Sequence, residues 1–519
     1  MRHFSKKGKV SIVMCILLLL LAACANNSEG DNSTSVKETD DVETKPVKLV
    51  FVSNDPVNNN RPGDVQDKVH EIILEKLGVD LNAILPATRD EVSQRINLML
   101  SSGQQLDYFK TQMAKALELY KNDAIVPLND LLDQHGENLK KAIPTDLWDK
   151  ATVDGKIIGI PSIPQNTTPN VLQIRTDWLE NLNLPMPKTI ADYENVMDQF
   201  VNADPDQNGK QDTYALNAGN GGTIEELERA FGPFFMEQGM EWWQDEQGKL
   251  LPPEMNPAYK DMMAKFMEWN NKGYIWPEMI LSKRDSRVKA IANNKIGSVA
   301  GWYTSTIVGG LEVLVKSVPE ANYVPILLQG SGINKLDKVP VDPSVVVITK
   351  SSSNPEAVMK FFDFAATREG FELTTLGIEG ESYKKLPNEL TEYIGEAKND
   401  WNKAKYYYLY APFTYVKFEG VPPWTMDSWL ESQYRKVLDL TEQLPSFQAV
   451  DYNVVYDKSQ WSSFSKLNDL DTYLLEQKVK VFLGEVPLSD WDTIITKWNE
   501  IGGNQMIEDR NAQFNAFKK

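Results

Sequence analysis

One short polar stretch of the sequence places oxygen-bearing side chains at regular intervals. Residues 204–212 read Asp-Pro-Asp-Gln-Asn-Gly-Lys-Gln-Asp. Oxygen ligands at loop positions 1, 3, 5 and 9, with glycine at position 6, match the first three-quarters of an EF-hand loop. The alternation lets one turn of backbone aim several hard oxygens at a single point. The pattern predicts a structural Ca²⁺ site whose ligands are Asp204, Asp206, Asn208, Lys210 (through its backbone carbonyl) and Asp212.

The end of this loop departs from an ordinary EF-hand. Position 12 is Ala215, where the usual loop has a bidentate glutamate. A further ligand, a bidentate Asp212 or a water molecule must then complete the coordination. The alternative interpretation is an Asx-rich turn around Asn208 and Gly209 that binds no metal.

Aromatic residues suggest a second kind of chemistry. Flat rings pack against the apolar faces of sugars, while Asp, Asn, Gln and Arg side chains reach the hydroxyl groups. Trp302 and Tyr303 follow Gly301 in a run of small polar residues typical of a loop, and Trp424 is a further candidate. Core packing is the alternative explanation for any single aromatic side chain.

Signals for catalysis are weak. Beyond the first 23 residues the chain has only two histidines, His70 and His135. Nucleophile-elbow, zinc-protease and phosphate-binding glycine motifs are all missing from the sequence. The formal net charge is −19, and −23 once the four basic residues of 1–23 are removed, which disfavours nucleic acid as a partner.

The first residues predict export and anchoring. Basic residues precede an apolar run that is too short to span a bilayer and ends at Ala22-Ala23-Cys24. This pattern is typical of a signal peptide (1–23) and resembles the bacterial lipobox, in which the cysteine is acylated. Residues 24–45 then predict a lipidated Cys24 and a flexible polar tether. The alternative is an ordinary signal peptide with a chance cysteine.

Strand and helix patterns alternate after the tether. A continuous apolar run at 47–52 predicts a buried strand, and Val65, Val69, Ile72 and Ile73 recur at helical spacing. Further strands are predicted at 79–85, ending near 109, and at 345–348. Helices are predicted over 92–100 and 259–269, from Pro355, and through most of the chain's last part. The sequence therefore predicts an α/β fold with a mostly parallel sheet.

Several segments together resemble family 1 extracellular solute-binding proteins of bacterial ABC importers, in particular the large branch that includes the alginate-oligosaccharide binders. The segments span nearly the whole mature chain, in the family's order and spacing: 49–54, 154–161, 172–175, 204–212, 295–297, 301–302 and 377–380.

The resemblance implies two α/β lobes of the class II periplasmic-binding-protein type, with a hinge, an interlobe cleft and a helix-rich C-terminal part. The expected amino lobe comprises 46–165 and 325–395, and the expected carboxy lobe comprises 166–324 and 396–519. Ligand contacts are expected from loops at the cleft: Asp55, Asp107, Tyr108, Gln165, Asn166, Arg175, Trp302, Tyr303 and Trp424.

The function implied by the resemblance is capture of an oligosaccharide and its delivery to the permease subunits of an ABC importer. The protein is expected to be a monomer, held at the outer face of the cell membrane through Cys24. Three alternatives stay open: a peptide-binding or sensor lipoprotein, an anchored polysaccharide-degrading enzyme, and an adhesion module without a small ligand.

Overall fold

The computed structural model describes residues 45–53, 64–86, 89–162, 170–218, 223–280, 284–338, 344–386, 391–398 and 428–518. One compact unit extends from Pro46 to Lys519. In the described ranges, every helix is too short or too polar to cross a membrane.

The strands, in chain order, are β1 (Val47–Val52), β2 (Val79–Ile84), β3 (Tyr108–Gln112), β4 (Thr152–Val153), β5 (Lys156–Ile157), β6 (Ile160–Pro161), β7 (Asn170–Arg175), β8 (Tyr214–Ala218), β9 (Trp243–Gln244), β10 (Leu250–Leu251), β11 (Ile296–Trp302), β12 (Tyr323–Ile326), β13 (Leu336–Lys338), β14 (Ser344–Ile348), β15 (Tyr383–Lys385), β16 (Thr391–Tyr393) and β17 (Ser446–Gln448).

The helices are α1 (Asp64–Leu77), α2 (Arg89–Ser102), α3 (Met113–Lys121), α4 (Asn129–His135), α5 (Glu137–Ala142), α6 (Thr145–Lys150), α7 (Thr176–Asn181), α8 (Ile190–Asn202), α9 (Glu225–Phe235), α10 (Ala258–Asn271), α11 (Arg284–Ala292), α12 (Glu312–Leu314), α13 (Pro355–Ala365), α14 (Arg368–Phe371), α15 (Ser428–Glu442), α16 (Leu467–Phe482), α17 (Trp491–Trp498) and α18 (Asn504–Phe517).

The first sheet forms the amino lobe and has the strand order β2-β1-β3-β14-β6. Strands β1, β2 and β3 are parallel, whereas β14 runs antiparallel to both of its neighbours. Apolar clusters cover both faces: α1 and α13 contribute to one, and α2 and α3 to the other. Strands β1, β2 and β14 confirm the strands predicted at 47–52, 79–85 and 345–348, and the apolar run of β14 follows from its burial on both faces.

Helix α13 begins at Pro355, as its sequence predicts, because proline is well suited to a first helical turn. Asn354 precedes it but makes no side-chain capping hydrogen bond. The predicted third strand also differs in detail, since β3 begins at Tyr108 rather than ending near 109.

The second sheet forms the carboxy lobe and has the order β12-β7-β11-β8. Helix α8 packs on it and starts with a capping box, in which Thr189 and Asp192 satisfy each other's backbone N–H groups. Its apolar stripe joins a core that also contains Val481 of α16 and Trp491 of α17. The C-terminal helices therefore belong to the carboxy lobe.

In the described ranges, the chain belongs to the amino lobe up to 162, to the carboxy lobe over 170–338, to the amino lobe again over 344–398, and to the carboxy lobe from 428. Strand β12 spans the boundary expected at 324/325 and pairs with β7 of the second sheet. The hydrophobicity of the sequence alone does not locate this lobe boundary, because a strand at the edge of a sheet and a loop that connects two lobes have similar compositions.

Candidate interlobe ligand site

The crossings join one edge of each sheet. In the amino lobe, β14 begins at Ser344, which pairs with Gln112 at the end of β3. In the carboxy lobe, β7 begins at Asn170, which pairs with Trp302 at the end of β11. Strand β6 leads into β7, and the chain returns from the carboxy lobe into β14. The two edges are therefore connected by the crossings, which is the position expected for an interlobe cleft.

Two adjoining cavities, here called the interlobe groove, lie beside these edges. The smaller, about 230 Å³, is bounded by Ala114 and Lys150 of the amino lobe and by residues 451–458. The larger, about 350 Å³, is bounded by α9, α16 and α18. Lys458 and Arg510 line both cavities. The groove is lined by Ala114 of α3, which directly follows β3, and by Glu225 of α9, which follows β8. It therefore extends from the strand ends of the first sheet toward those of the second.

A buried ion cluster forms one wall of the groove. Lys478 of α16 lies 2.5 Å from Glu254 and 3.2 Å from Glu228. The hydroxyl of Tyr259 donates to Glu228 as well. Burial alone lowers the pKa of Lys478, but the two carboxylates outweigh it and raise that pKa overall. Lys478 therefore stays charged and compensates two buried acids.

A second charged assembly lies where the two cavities meet. The Arg510 guanidinium is sandwiched between aromatic rings, 4.4 Å from the ring centre of Trp242 and 4.1 Å from that of Tyr456. It also lies 2.5 Å from the buried carboxylate of Asp451, which accepts a 2.7 Å hydrogen bond from the Tyr456 hydroxyl. Stacking and pairing together fix the guanidinium in a single orientation.

One ion pair connects the lobes at the edge of the groove. Lys121 at the end of α3 contacts Asp457 at 2.5 Å. Burial opposes ionisation of Asp457, but hydrogen bonds from Lys121 and Ser459 lower its pKa overall. Lys150 lies over the Tyr452 ring at 4.8 Å and makes a further contact between the lobes.

Trp302 is the exposed aromatic side chain at the carboxy-lobe edge, with 44% of its surface accessible. Gly301 before it has φ of 150°, and a Cβ there would lie 3.0 Å from a carboxylate oxygen of Glu226. Glu226 is adjacent to Glu225, which lines the groove. The first turn of α9 therefore contributes both to the surroundings of Gly301 near the end of β11 and to the lining of the groove.

The other described candidates for ligand contact are buried. Asp107 is fully buried and accepts hydrogen bonds from the Val50 N–H at 2.6 Å and the Ser352 hydroxyl at 2.7 Å. Tyr108 stacks on Phe51 at 4.9 Å inside the amino-lobe core. Tyr303 is also fully buried, in a cluster that includes Ile307.

Arg175 lies at the opposite end of the second sheet from Trp302. It is fully buried, and its guanidinium donates to Asp177 at 2.8 and 2.5 Å and to Asn294 at 2.8 Å. Burial lowers its pKa, but Asp177 and Tyr323 together outweigh this effect and the pKa rises. Because Arg175 is five residues along β7 from the partner of Trp302, about 17 Å separates them along the strand.

Four predicted contacts and the lipidation site lie outside the described residues: Asp55, Gln165, Asn166, Trp424 and Cys24. Sequence reasoning missed the charged groove residues Lys458, Lys478 and Arg510. Charged positions on helices are usually solvated, so only the tertiary packing distinguishes these three. The neighbouring Trp242-Trp243 pair was the one available signal.

The predicted calcium ligands do cluster in the structure. Asp204 accepts from the N–H groups of Asn208 at 3.0 Å and Gly209 at 2.9 Å, which folds the loop back on itself. The Asn208 amide nitrogen donates to Asp206 at 2.8 Å and to Asp212 at 3.1 Å. Lys295 also pairs with Asp212, and this contact lowers the Asp212 pKa.

The donor atoms of this loop are oxygens, which are the ligands that a hard cation such as Ca²⁺ prefers. One buried oxygen of Asp206 has no hydrogen-bond partner within the described part of the chain. Desolvation and the neighbouring acids Asp204 and Asp212 raise the Asp206 pKa. However, across the described ranges no three His, Cys, Asp or Glu side chains are already arranged to hold a metal ion. The Asn208 amide nitrogen stands between two carboxylates, so its oxygen would have to turn inward on binding.

Asp337 on β13 fixes the turn that carries Glu241 and Trp242 to the groove. One carboxylate oxygen accepts a 2.6 Å hydrogen bond from the Met240 N–H, while the other has no partner among the residues the structure describes. Desolvation, against the effect of this bond, raises the Asp337 pKa to about 8. The side chain is therefore largely protonated at neutral pH.

We expect Asp337→Asn to flatten the pH dependence of stability. The folded pKa of about 8 exceeds the unfolded value of 3.8, so the free energy of unfolding falls as pH rises through this interval. The asparagine variant lacks this decline and should be more stable at alkaline pH, on the order of 1–3 kcal/mol. Urea unfolding at several pH values measures this. Asp245→Asn, in a surface turn, is the control, and parallel profiles for Asp337→Asn and wild type would contradict the assignment.

A polar groove that reaches the amino lobe at Ala114 and Lys150 and continues into the carboxy lobe is suited to binding a ligand. Residues 74–370 match the family model described as bacterial extracellular solute-binding protein. The match covers more than half of the 519-residue chain. The chain therefore belongs to this family of extracellular solute-binding proteins.

Individual relatives agree with the family. The chain is 24% identical over 527 aligned residues to the polygalacturonan/rhamnogalacturonan-binding protein YtcQ of Bacillus subtilis strain 168, covering 98% of this chain and all of that protein. It is also 24% identical to the fructooligosaccharide ABC transporter substrate-binding protein FusA of Streptococcus pneumoniae serotype 4, with 69% of each chain covered. These relatives are binding proteins, and this chain is a binding protein rather than an enzyme.

Among solved structures, the alginate-binding protein AlgQ2, crystallised without calcium ion, superposes with a TM-score of 0.65. The two are 20% identical, and the match covers 91% of this chain and 98% of AlgQ2. This likeness establishes the two-lobed fold.

Proposed function

We propose that this protein captures an oligosaccharide in the interlobe groove and delivers it to the permease subunits of an ABC importer. The observation that carries the proposal is a groove with carboxylate, ammonium and guanidinium walls, and the exposed Trp302 at the end of β11 supports it. A flat aromatic ring packs against the apolar face of a sugar, and convergent polar groups form hydrogen bonds with its hydroxyls. The sugar-binding names of YtcQ and FusA support the same ligand class.

The proposed working cycle uses the two lobes as a clamp. Ligand bridging them stabilises a closed form, because it gains contacts to both lobes only after closure. The permease then distinguishes the closed form from the open one. We further propose that acylated Cys24 holds the protein at the outer face of the membrane, with residues up to 45 as the tether. A lipid-anchored monomer suits this role, since one groove needs one chain.

Replacing Trp302 by alanine should weaken glycan binding about 10- to 100-fold, as expected when an aromatic ring that packs on the ligand is lost. Isothermal titration of the soluble chain from Ala25 with a glycan panel measures the affinity. The wild type should bind at least one oligosaccharide and leave it chemically intact. Trp302→Phe, which keeps a smaller ring, should lose less.

Phe517→Ala is the matched control, because Phe517 is 60% exposed on α18 and is not among the residues lining the groove. It should bind as the wild type does. If no glycan in a broad panel binds the wild type, the proposed function is wrong. If Trp302→Ala binds normally, the ligand lies elsewhere.

We also propose that loop 204–212 binds Ca²⁺ in a structural role. Asp204, Asp206, Asn208, Asp212 and the Lys210 carbonyl would hold the ion. The unpartnered Asp206 oxygen and the raised Asp206 pKa support this proposal, because a cation removes the repulsion among the three acids. The ion would brace the link between α8 and β8, and it has no chemical step to perform.

Saturating Ca²⁺ should raise the melting temperature, and chelator should reverse the effect. Calcium at about 100 times its dissociation constant adds about 2.7 kcal/mol to the free energy of unfolding. Asp206→Ala should abolish the calcium response. Asp245→Ala serves as the control, since Asp245 accepts from the Gln247 and Lys249 N–H groups in an ordinary turn. If millimolar Ca²⁺ leaves the wild-type melting temperature unchanged, the loop is an Asx-rich turn that binds no metal.

A further inference from the structure

We infer that the interlobe groove selects neutral oligosaccharides over those built from uronic acids. The inference rests on the proposed function and adds the charge class of the ligand. Two observations support it: the ion pairs that the charged side chains of the groove already make, and the identity of the charged side chains that remain unpaired.

Three cations of the groove are paired with carboxylates of the protein, and two of them, Arg510 and Lys478, are largely buried. Arg510 is 2.5 Å from Asp451, Arg229 is 3.1 Å from Glu241, and Lys478 holds both Glu228 and Glu254. A bound uronate would have to take a cation from a buried acid. Leaving that acid uncompensated costs about 3–5 kcal/mol, so the exchange is unfavourable.

Four groove residues have no ion pair within the described ranges: Lys150, Lys458, Glu225 and Asp471. The formal charges of these two cations and two acids cancel. Lys478 has two acidic partners, so by formal charge the residues lining the groove carry one negative charge in excess. Desolvation raises the Asp471 pKa, with Glu225 contributing in the same direction and Lys458 opposing it. The free side chains therefore offer no net positive field to an anion.

The same groups suit neutral sugars well. A carboxylate accepts hydrogen bonds from two adjacent hydroxyls, and an ammonium donates to ring or hydroxyl oxygens. Each uronate in an oligomer adds one negative charge, which would face Glu225 and Asp471 as well as the protein's overall charge of −19. A neutral chain of equal shape meets none of this repulsion.

The test compares pairs of glycans that differ only at C6. Whichever oligosaccharide binds the soluble wild-type chain is converted to its partner, by oxidising its primary hydroxyls to uronates or by reducing its uronates to hydroxyls. Affinities are measured by calorimetry at about 0.15 M salt. We expect the neutral member to bind at least about 10-fold more tightly. Asp471→Asn and Glu225→Gln should reduce this preference several-fold, whereas Glu246→Gln, an exposed acid outside the groove, should leave it unchanged.

The outcomes separate this inference from the proposed function. Equal or tighter binding of the uronate member overturns the charge preference but leaves oligosaccharide capture intact. A preference unaffected by Asp471→Asn and Glu225→Gln also overturns it, because the discrimination would not arise from these groove acids. Absence of binding by every glycan, neutral or acidic, overturns the proposed function itself.

Discussion

Replacing Lys478 by methionine should lower the free energy of unfolding by about 3–5 kcal/mol. The ammonium lies between Glu228, 1% exposed, and Glu254, 9% exposed, and methionine leaves both without a counter-charge. The deficit should shrink toward acidic pH, because burial raises the pKa of Glu228 and this carboxylate becomes protonated there. Urea unfolding at pH values between about 5 and 8 measures both effects.

Lys480→Met provides the matched control on the same helix. Lys480 is exposed and lies 3.9 Å from the exposed Glu476, so its removal should change stability by less than about 0.5 kcal/mol. The double variant Lys478→Met/Glu254→Gln should recover part of the loss, because it removes one of the two uncompensated acids. Equal stability of Lys478→Met and Lys480→Met would contradict the buried cluster.

Replacing Arg175 by methionine should have a similarly large effect on stability and little direct effect on ligand binding. The guanidinium is the buried partner of Asp177 and also stacks over Trp178, 4.7 Å from its ring centre. Its loss should cost about 3–5 kcal/mol. Arg175→Lys should recover only part of this, because an ammonium cannot reproduce the forked contacts to Asp177. Thermal melting and glycan titration of the same samples measure the two quantities separately.

Trp302→Ala is the natural comparison, because it should show the reverse pattern of near-normal stability and weakened binding. A folded Arg175→Met protein with normal melting but no glycan affinity would instead place Arg175 in the ligand site. The pair of variants therefore decides which end of the second sheet faces the ligand.

Local sequence patterns predicted the elements of the fold well. The apolar run at 47–52 and the helical stripe from Val65 both reflect burial that one strand or helix requires by itself. The antiparallel β14 and the passage of the chain at 338–344 were not predictable in this way. They depend on pairing between distant segments, which leaves no periodic trace.

The site was less predictable than the fold. Glycine and small polar neighbours indicated a loop at Trp302, which is instead the exposed last residue of β11, and its contact with a ligand stays a prediction. Arg175 was misleading because a lone arginine at a strand end resembles a ligand contact until Asp177, two residues on, is seen to bind it. The groove pairs join residues such as Glu228 and Lys478, which are 250 positions apart. Only the folded chain brings such residues together.

The position of β14 has a consequence for the order in which the protein acquires its structure. This strand separates β3 from β6 in the first sheet, yet every strand of the second sheet precedes it in the chain. During synthesis the first sheet therefore stays incomplete, with β3 unpaired on one side and β6 without its partner strand, until most of the carboxy lobe has emerged. Unpaired strand edges invite aggregation, and long-range pairing slows folding. Neither lobe is a continuous segment that folding could complete first, so the two must mature together.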